Sequence, residues 1–173
     1  MTALTVWHYD TPFGAEAGGV RLRALEERLV LTVHDAITVA WMPRAEEPVI
    51  SHLHHPSASS AGRGSVLGGL VGLVVLAPLA GAAAGAGIAA AMSRLSGAGI
   101  DRRLVEEMGK HLTPGSSALL VLSSDADLDE LRPVIERELE RGDVALLHAE
   151  LSEDAPAAVR EVVDDLERRG QGP

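Results

Sequence analysis

Between Arg63 and Arg94 lie 30 consecutive residues without a charged side chain. A run of that length is a poor surface connection for a water-exposed domain, so it must be buried in something, protein or lipid. Gly64, Gly68 and Gly72 fall at four-residue spacing, and Gly81, Gly85 and Ala89 repeat it beyond Pro78. Residues four apart share a helix face, so each set lays a groove of bare backbone along which another helix can approach closely. Such a groove sacrifices about 1 kcal/mol of helix propensity per glycine relative to alanine, which only packing can offset. Pro78 does not fit a helix interior and divides the run into two arms, roughly 65–77 and 79–95. The expected element is a Gly/Ala-rich helical hairpin inserted over residues 62–97, with these glycines, Pro78 and Ala89 as its contact residues.

The flanking segments alternate strands and helices. Residues 3–9 read as a strand closed by the turn chemistry of Asp10-Thr-Pro-Phe-Gly14, and 15–29 as an amphipathic helix burying Val20, Leu22, Leu25 and Leu29. A second strand covers 35–43, where Ile37, Val39 and Trp41 alternate with smaller or polar residues, and Val49 with Ile50 extends the sheet as an edge. After the insertion, Asp101 caps a helix through His111, Thr113-Pro-Gly-Ser116 turns the chain, and Ser117 to Leu122 is a third strand. Asp127 to Glu130 has the spacing of a capping box, opening a helix with Leu131, Val134, Ile135 and Leu139 on one face. Gly142 ends it, Val144 to Leu151 is a fourth strand, and a last helix covers about 155–169.

That order predicts one α+β domain over 1–173: a ferredoxin-like split β-α-β sheet with helices on one face, the inserted hairpin, and an extra C-terminal helix. Residues 1–55 form its first β-α-β unit and 101–169 its second part. A small doubly wound sheet is the competing layout. Strands before and after the hairpin share one sheet and therefore one side of any membrane, which excludes a single crossing. The first arm, about 13 residues and about 20 Å long, also falls short of about 30 Å of hydrocarbon. No Trp or Tyr flanks the run, which tilts the reading toward burial in a protein assembly, with packing of the hairpin back on its own sheet as extra core the alternative.

The formal charge of −10 argues against nucleic acid, which clustered Lys and Arg would bind. Absence of cysteine removes disulfides, thiolate metal sites and a Cys nucleophile, and fits a reducing cytoplasm. The start, Met1 to Tyr9, lacks the charged and apolar regions of a signal peptide, so the expected location is cytoplasmic, with the inner face of the cell membrane as the alternative. His52, His54 and His55 are the only local cluster with ligand potential, able to hold zinc, copper, nickel or haem iron, although no carboxylate or fourth ligand stands near them in the sequence. No Gly-Lys-Ser/Thr loop, nucleophile elbow or ordered Ser-His-acid set is recognisable, and the acidic groups, including Glu136 to Glu140, read as solvated helix faces. No catalytic residue and no cofactor are expected.

Asp35-Ala-Ile-Thr-Val39, the junction around His54 and His55, Pro78-Leu-Ala-Gly81, Gly99-Ile-Asp101 and Leu112-Thr-Pro-Gly-Ser-Ser-Ala-Leu119 together resemble the bacterial family grouped as domain of unknown function 1269, often labelled membrane proteins. The resemblance spans most of the chain and implies no activity, but it makes the glycine hairpin an integral part of the fold. The functional expectation is a non-enzymatic self-assembly protein whose hairpin mediates homo-oligomerisation. A membrane-associated scaffold or stress protein with the hairpin in the cytoplasmic leaflet is the alternative, and a metal- or haem-binding module at His52, His54 and His55 is a second.

Overall fold

The computed structural model describes residues 2–53, 66–76, 92–142, 144–152, 157, 158, 161 and 168. Its strands are β1 (Thr2–Tyr9), β2 (Thr32–Ala40), β3 (Val49–His52), β4 (Ser117–Ser124) and β5 (Val144–Leu151). They form one antiparallel sheet in the order β3-β2-β4-β1-β5. Four helices position the candidate site: α1 (Gly14–Glu27), α2 (Val66–Leu76), α3 (Arg102–His111) and α4 (Leu128–Glu140). Residues 92–97 are helical as well. The fold is α+β.

Strand alternation sends Leu4, Val6, Ile37, Val39, Leu120 and Leu122 to one face of the sheet and Trp7, Tyr9, Ala36, Leu119 and Val121 to the other. The first face is sealed by Leu67, Leu70, Val71 and Val74 of α2, by Met92 and Leu95, and by Val105 and Met108 of α3. Over the second lie Ala15 and Leu22 of α1, with Leu131 of α4 at the margin. Helices therefore cover both faces, which corrects the expected one-sided layer. A helix apolar around its whole circumference has no face that periodicity can assign, so its place on the sheet was hidden in the sequence.

Local chemistry explains the element ends. Asp101 caps α3, its side chain accepting from the Leu104 N–H at 2.8 Å. The turn before β4 closes with the Ser116 N–H on the Thr113 carbonyl at 3.0 Å, and Gly115 supplies the positive φ of 97° that Pro-Gly in a type II turn requires. Asp127 caps α4 by accepting from the Asp129 and Glu130 N–H groups. Glu130 does not complete the box; it pairs instead with Arg28 at 2.7 Å, and the Asp127 N–H donates to the Val30 carbonyl. At α1 the residue in the capping position is Phe13, which makes no side-chain cap bond. Buried Ser117 of β4 takes over that role: its Oγ accepts from the Ala15 N–H at 3.0 Å and donates to the Thr11 carbonyl at 2.6 Å.

Three expectations about α1 and β2 need correction. Val20 is 63% exposed, and α1 buries Ala15, Gly18, Gly19 and Leu22 instead. Tyr9 is the reason: a Cβ at Gly14 or Gly18 would lie 2.4 Å from its side chain, so the helix approaches β1 only where side chains are missing. Strand β2 starts at Thr32, before the expected Asp35, because a register shift between Val33 and Asp35 interrupts the alternation. Leu29, expected in the buried stripe, is 89% exposed at φ 57°. It occupies the left-handed position of a Schellman stop, with the Leu29 N–H on the Glu26 carbonyl and the Val30 N–H on the Leu25 carbonyl.

Candidate functional site

Helix α2 is the described part of the glycine-rich insertion. Leu67, Leu70, Val71 and Val74 recur at helical spacing and are all nearly inaccessible, so one side of the helix is fixed to the sheet. Against α3 the packing is ordinary van der Waals contact, a Cβ at Gly109 standing 3.8 Å from Val74 Cγ1. Gly68 and Gly72 lie at 100° per residue to the side of the buried stripe, and a Cβ at Gly72 would meet no atom within 4 Å. Gly72 thus faces away from the sheet. Gly64, Pro78, Gly81, Gly85 and Ala89 lie outside the described residues.

A buried carboxylate holds the start of α2. Asp35 Oδ2 accepts from the Leu67 N–H at 3.4 Å, next to the positive end of the helix dipole, and Oδ1 has no hydrogen-bond partner. This links β2 to the insertion, a role that reading Asp35 as a strand residue did not anticipate.

On the opposite face, a cleft of about 40 Å³ between α1 and α4 is lined by Trp7, Tyr9, Arg21, Leu22, Val134 and Glu138 among others. Glu138 is 5% exposed and accepts from Arg21 at 2.8 Å, with Arg141 at 3.4 Å. The acidic stretch was expected to be solvated throughout, and Glu138 corrects that: it stands four residues after Val134 and seven after Leu131, on the inward side of α4. That spacing was the available signal. Burial pushes the Tyr9 hydroxyl above its usual range, opposed by the Arg21 guanidinium beside it. One carboxylate between two guanidiniums closes a helix–helix seam.

Histidines are distributed between the two faces. His52 sits exposed on β3, while His54 and His55 lie outside the described residues. Among the described residues no group of three or more His, Asp or Glu is placed to hold a metal ion. His8 is 3% exposed on the α3 side of β1, its ring centroid 5.1 Å from that of His111, with no hydrogen-bond partner for either nitrogen. Burial, reinforced by His111, lowers its pKa to about 4. A neutral imidazole at neutral pH is the result. No helix among the described residues is long and apolar enough to cross a membrane.

No curated protein and no solved structure matches the chain. Residues 61–164, more than half of the sequence and including α2, α3, β4, α4 and β5, match the family described as Protein of unknown function (DUF1269). The chain belongs to that family.

Proposed function

We propose that this protein is a non-enzymatic self-assembly module: an acidic ferredoxin-like split β-α-β core presenting a glycine-zipper hairpin, whose grooves receive helices of neighbouring copies. Support for the core comes from its connectivity. With β3 set aside, the strand order is β2-β4-β1-β5, every pair is antiparallel, and α1 and α4 share one face. The observation that carries the functional reading is the division of labour around α2. Leu67, Leu70, Val71 and Val74 are committed to the sheet, while the position of a Gly72 side chain opens onto free space. A helix that needed only to cover the sheet would gain about 1 kcal/mol of helix propensity by carrying alanine there. Glycine is favoured where another backbone must come close.

Gly72→Leu is therefore a clean test, because a Cβ added there meets no atom of the fold within 4 Å. The circular dichroism and thermal transition should stay as in the wild type, while the mass by light scattering falls to that of a smaller species. An unchanged mass sinks the proposal. Co-sedimentation of the wild type with anionic vesicles, abolished by the same substitution, would transfer the groove's role to lipid.

A further inference from the structure

The two helices that share one face of the sheet present different outer surfaces. On the side of α4 turned away from the sheet stand Asp129, Arg132, Glu136 and Glu140, all exposed and charged. The corresponding side of α1 is apolar. Opposite its buried Ala15, Gly18, Gly19 and Leu22, at 100° per residue, lie Phe13, Ala17, Val20 and Ala24. All four are exposed, and Phe13 and Val20 leave 64% and 63% of their surface in solvent. Phe13 precedes α1 in a near-helical conformation, φ −106° and ψ −5°, so it continues the row.

Apolar groups scattered singly over a surface are ordinary, but a row of them along one helix marks a contact surface. Spacings of four, three and four residues are those of the seam between two coiled helices. The charges beside the row specify what it faces. Glu16 and Arg23 are exposed on one flank, two turns and about 10 Å apart along the helix, and neither forms an ion pair among the described residues. On the other flank Arg21 and Arg28 are already paired within the chain, with Glu138 and Glu130.

We infer that α1 packs on α1 of a second copy of this chain, antiparallel about a two-fold axis at Val20, with Phe13, Ala17, Val20 and Ala24 as the seam. This register satisfies the charges: Glu16 of each copy comes beside Arg23 of the other, on the same flank, so two ion pairs form by symmetry. A parallel pair would instead set Glu16 against Glu16 and Arg23 against Arg23. Glu27, at the end of each α1, reaches the first turn of the other, where the helix dipole is positive and Phe13 supplies no capping side chain. Ala17 and Ala24 let the backbones approach closely. A two-fold contact of this kind uses the same patch on both copies and closes, so a dimer forms rather than a fibre. The contact lies on the face of the sheet opposite α2 and does not rest on the glycine groove.

The cysteine-free chain makes the test direct, because a residue on a two-fold axis meets its own copy. Full-length Val20→Cys under mild oxidation should run as a covalent dimer on a non-reducing gel, in the wild-type background and in Gly72→Leu alike. In the Gly72→Leu background Lys110→Cys, exposed on α3, should not. Adding Arg23→Glu to the Val20→Cys chain sets carboxylate against carboxylate and should lower the dimer yield several-fold at low salt, with unchanged circular dichroism. Adding Glu16→Arg as well exchanges the signs and should restore the yield. Absence of the Val20→Cys dimer, equal cross-linking at Lys110→Cys, a yield that Arg23→Glu leaves unchanged, or a double exchange that fails to restore it overturns the inference. Gly72→Leu reports on the helix groove alone, so either contact can fail without the other.

Discussion

Under α2 and α3 the sheet is sealed with aliphatic side chains that have lost almost all contact with solvent, whereas under α1 and α4 it is closed by a tyrosine ring seated on glycines and by an ion-pair cluster. Helix α4 buries Glu138 while Leu128 and Leu139 stay exposed, the reverse of what an amphipathic helix ordinarily does. The first face depends on dispersion and the exclusion of water, and the second on charge and close backbone approach. The insertion supplies the first face with Leu67, Leu70, Val71, Val74, Met92 and Leu95.

Leucine deletions should separate the faces most strongly. Leu70→Ala removes a side chain 2% exposed and should cost about 2–5 kcal/mol in urea unfolding, while Leu139→Ala should stay within about 0.5 kcal/mol. Equal losses at both positions would erase the distinction.

Next in size is the pH response of the α2–α3 face. His8 has a pKa of about 4 in the folded chain against 6.5 when unfolded, so between those values the unfolded state binds more protons. Its contribution is complete above pH 6.5 and is lost as pH falls toward 4, by up to about 3 kcal/mol. Carboxylates titrate in the same range, so the measurement is a difference: the stability curve of His8→Leu should lose less on acidification than that of the wild type. Parallel curves would show that His8 does not set this dependence.

On the other face, Glu138→Ala removes the carboxylate shared by Arg21 and Arg141. Both arginines retain access to water, so the cost should be about 1–2 kcal/mol, below that of a fully buried pair. Because Glu138 is shielded, added salt should recover little of the difference. The smallest effect has the opposite sign. Leu29→Gly relieves a left-handed backbone and exposes no new core, so thermal unfolding should report a gain of about 1 kcal/mol.

Legibility in the sequence followed the same division. Strand β5 occupies Val144–Leu151 as its residues suggested, and the caps at Asp101 and Asp127 were visible because they depend on side chains a few residues from what they bind. What escaped was set by distant partners. Tyr9 decides that Gly18 rather than Val20 is buried, and Arg21, 117 residues away in sequence, helps hold Glu138 inside. The insertion could be recognised as buried from its missing charges, but not as the cover of a specific face, because every side of it is apolar. Of the residues expected to form the glycine contacts, Gly72 is the one whose surroundings can be stated: its side-chain position faces open space. The expected histidine cluster is represented by His52 alone among the described residues.

The central claim is that the glycine-striped insertion makes the protein self-associate, and its most direct test is the mass of the full chain purified without detergent, by light scattering after gel filtration over a range of concentrations. A defined multimer that persists on dilution is the result this account predicts. A mass near the 18.1 kDa of one chain at every concentration would contradict it.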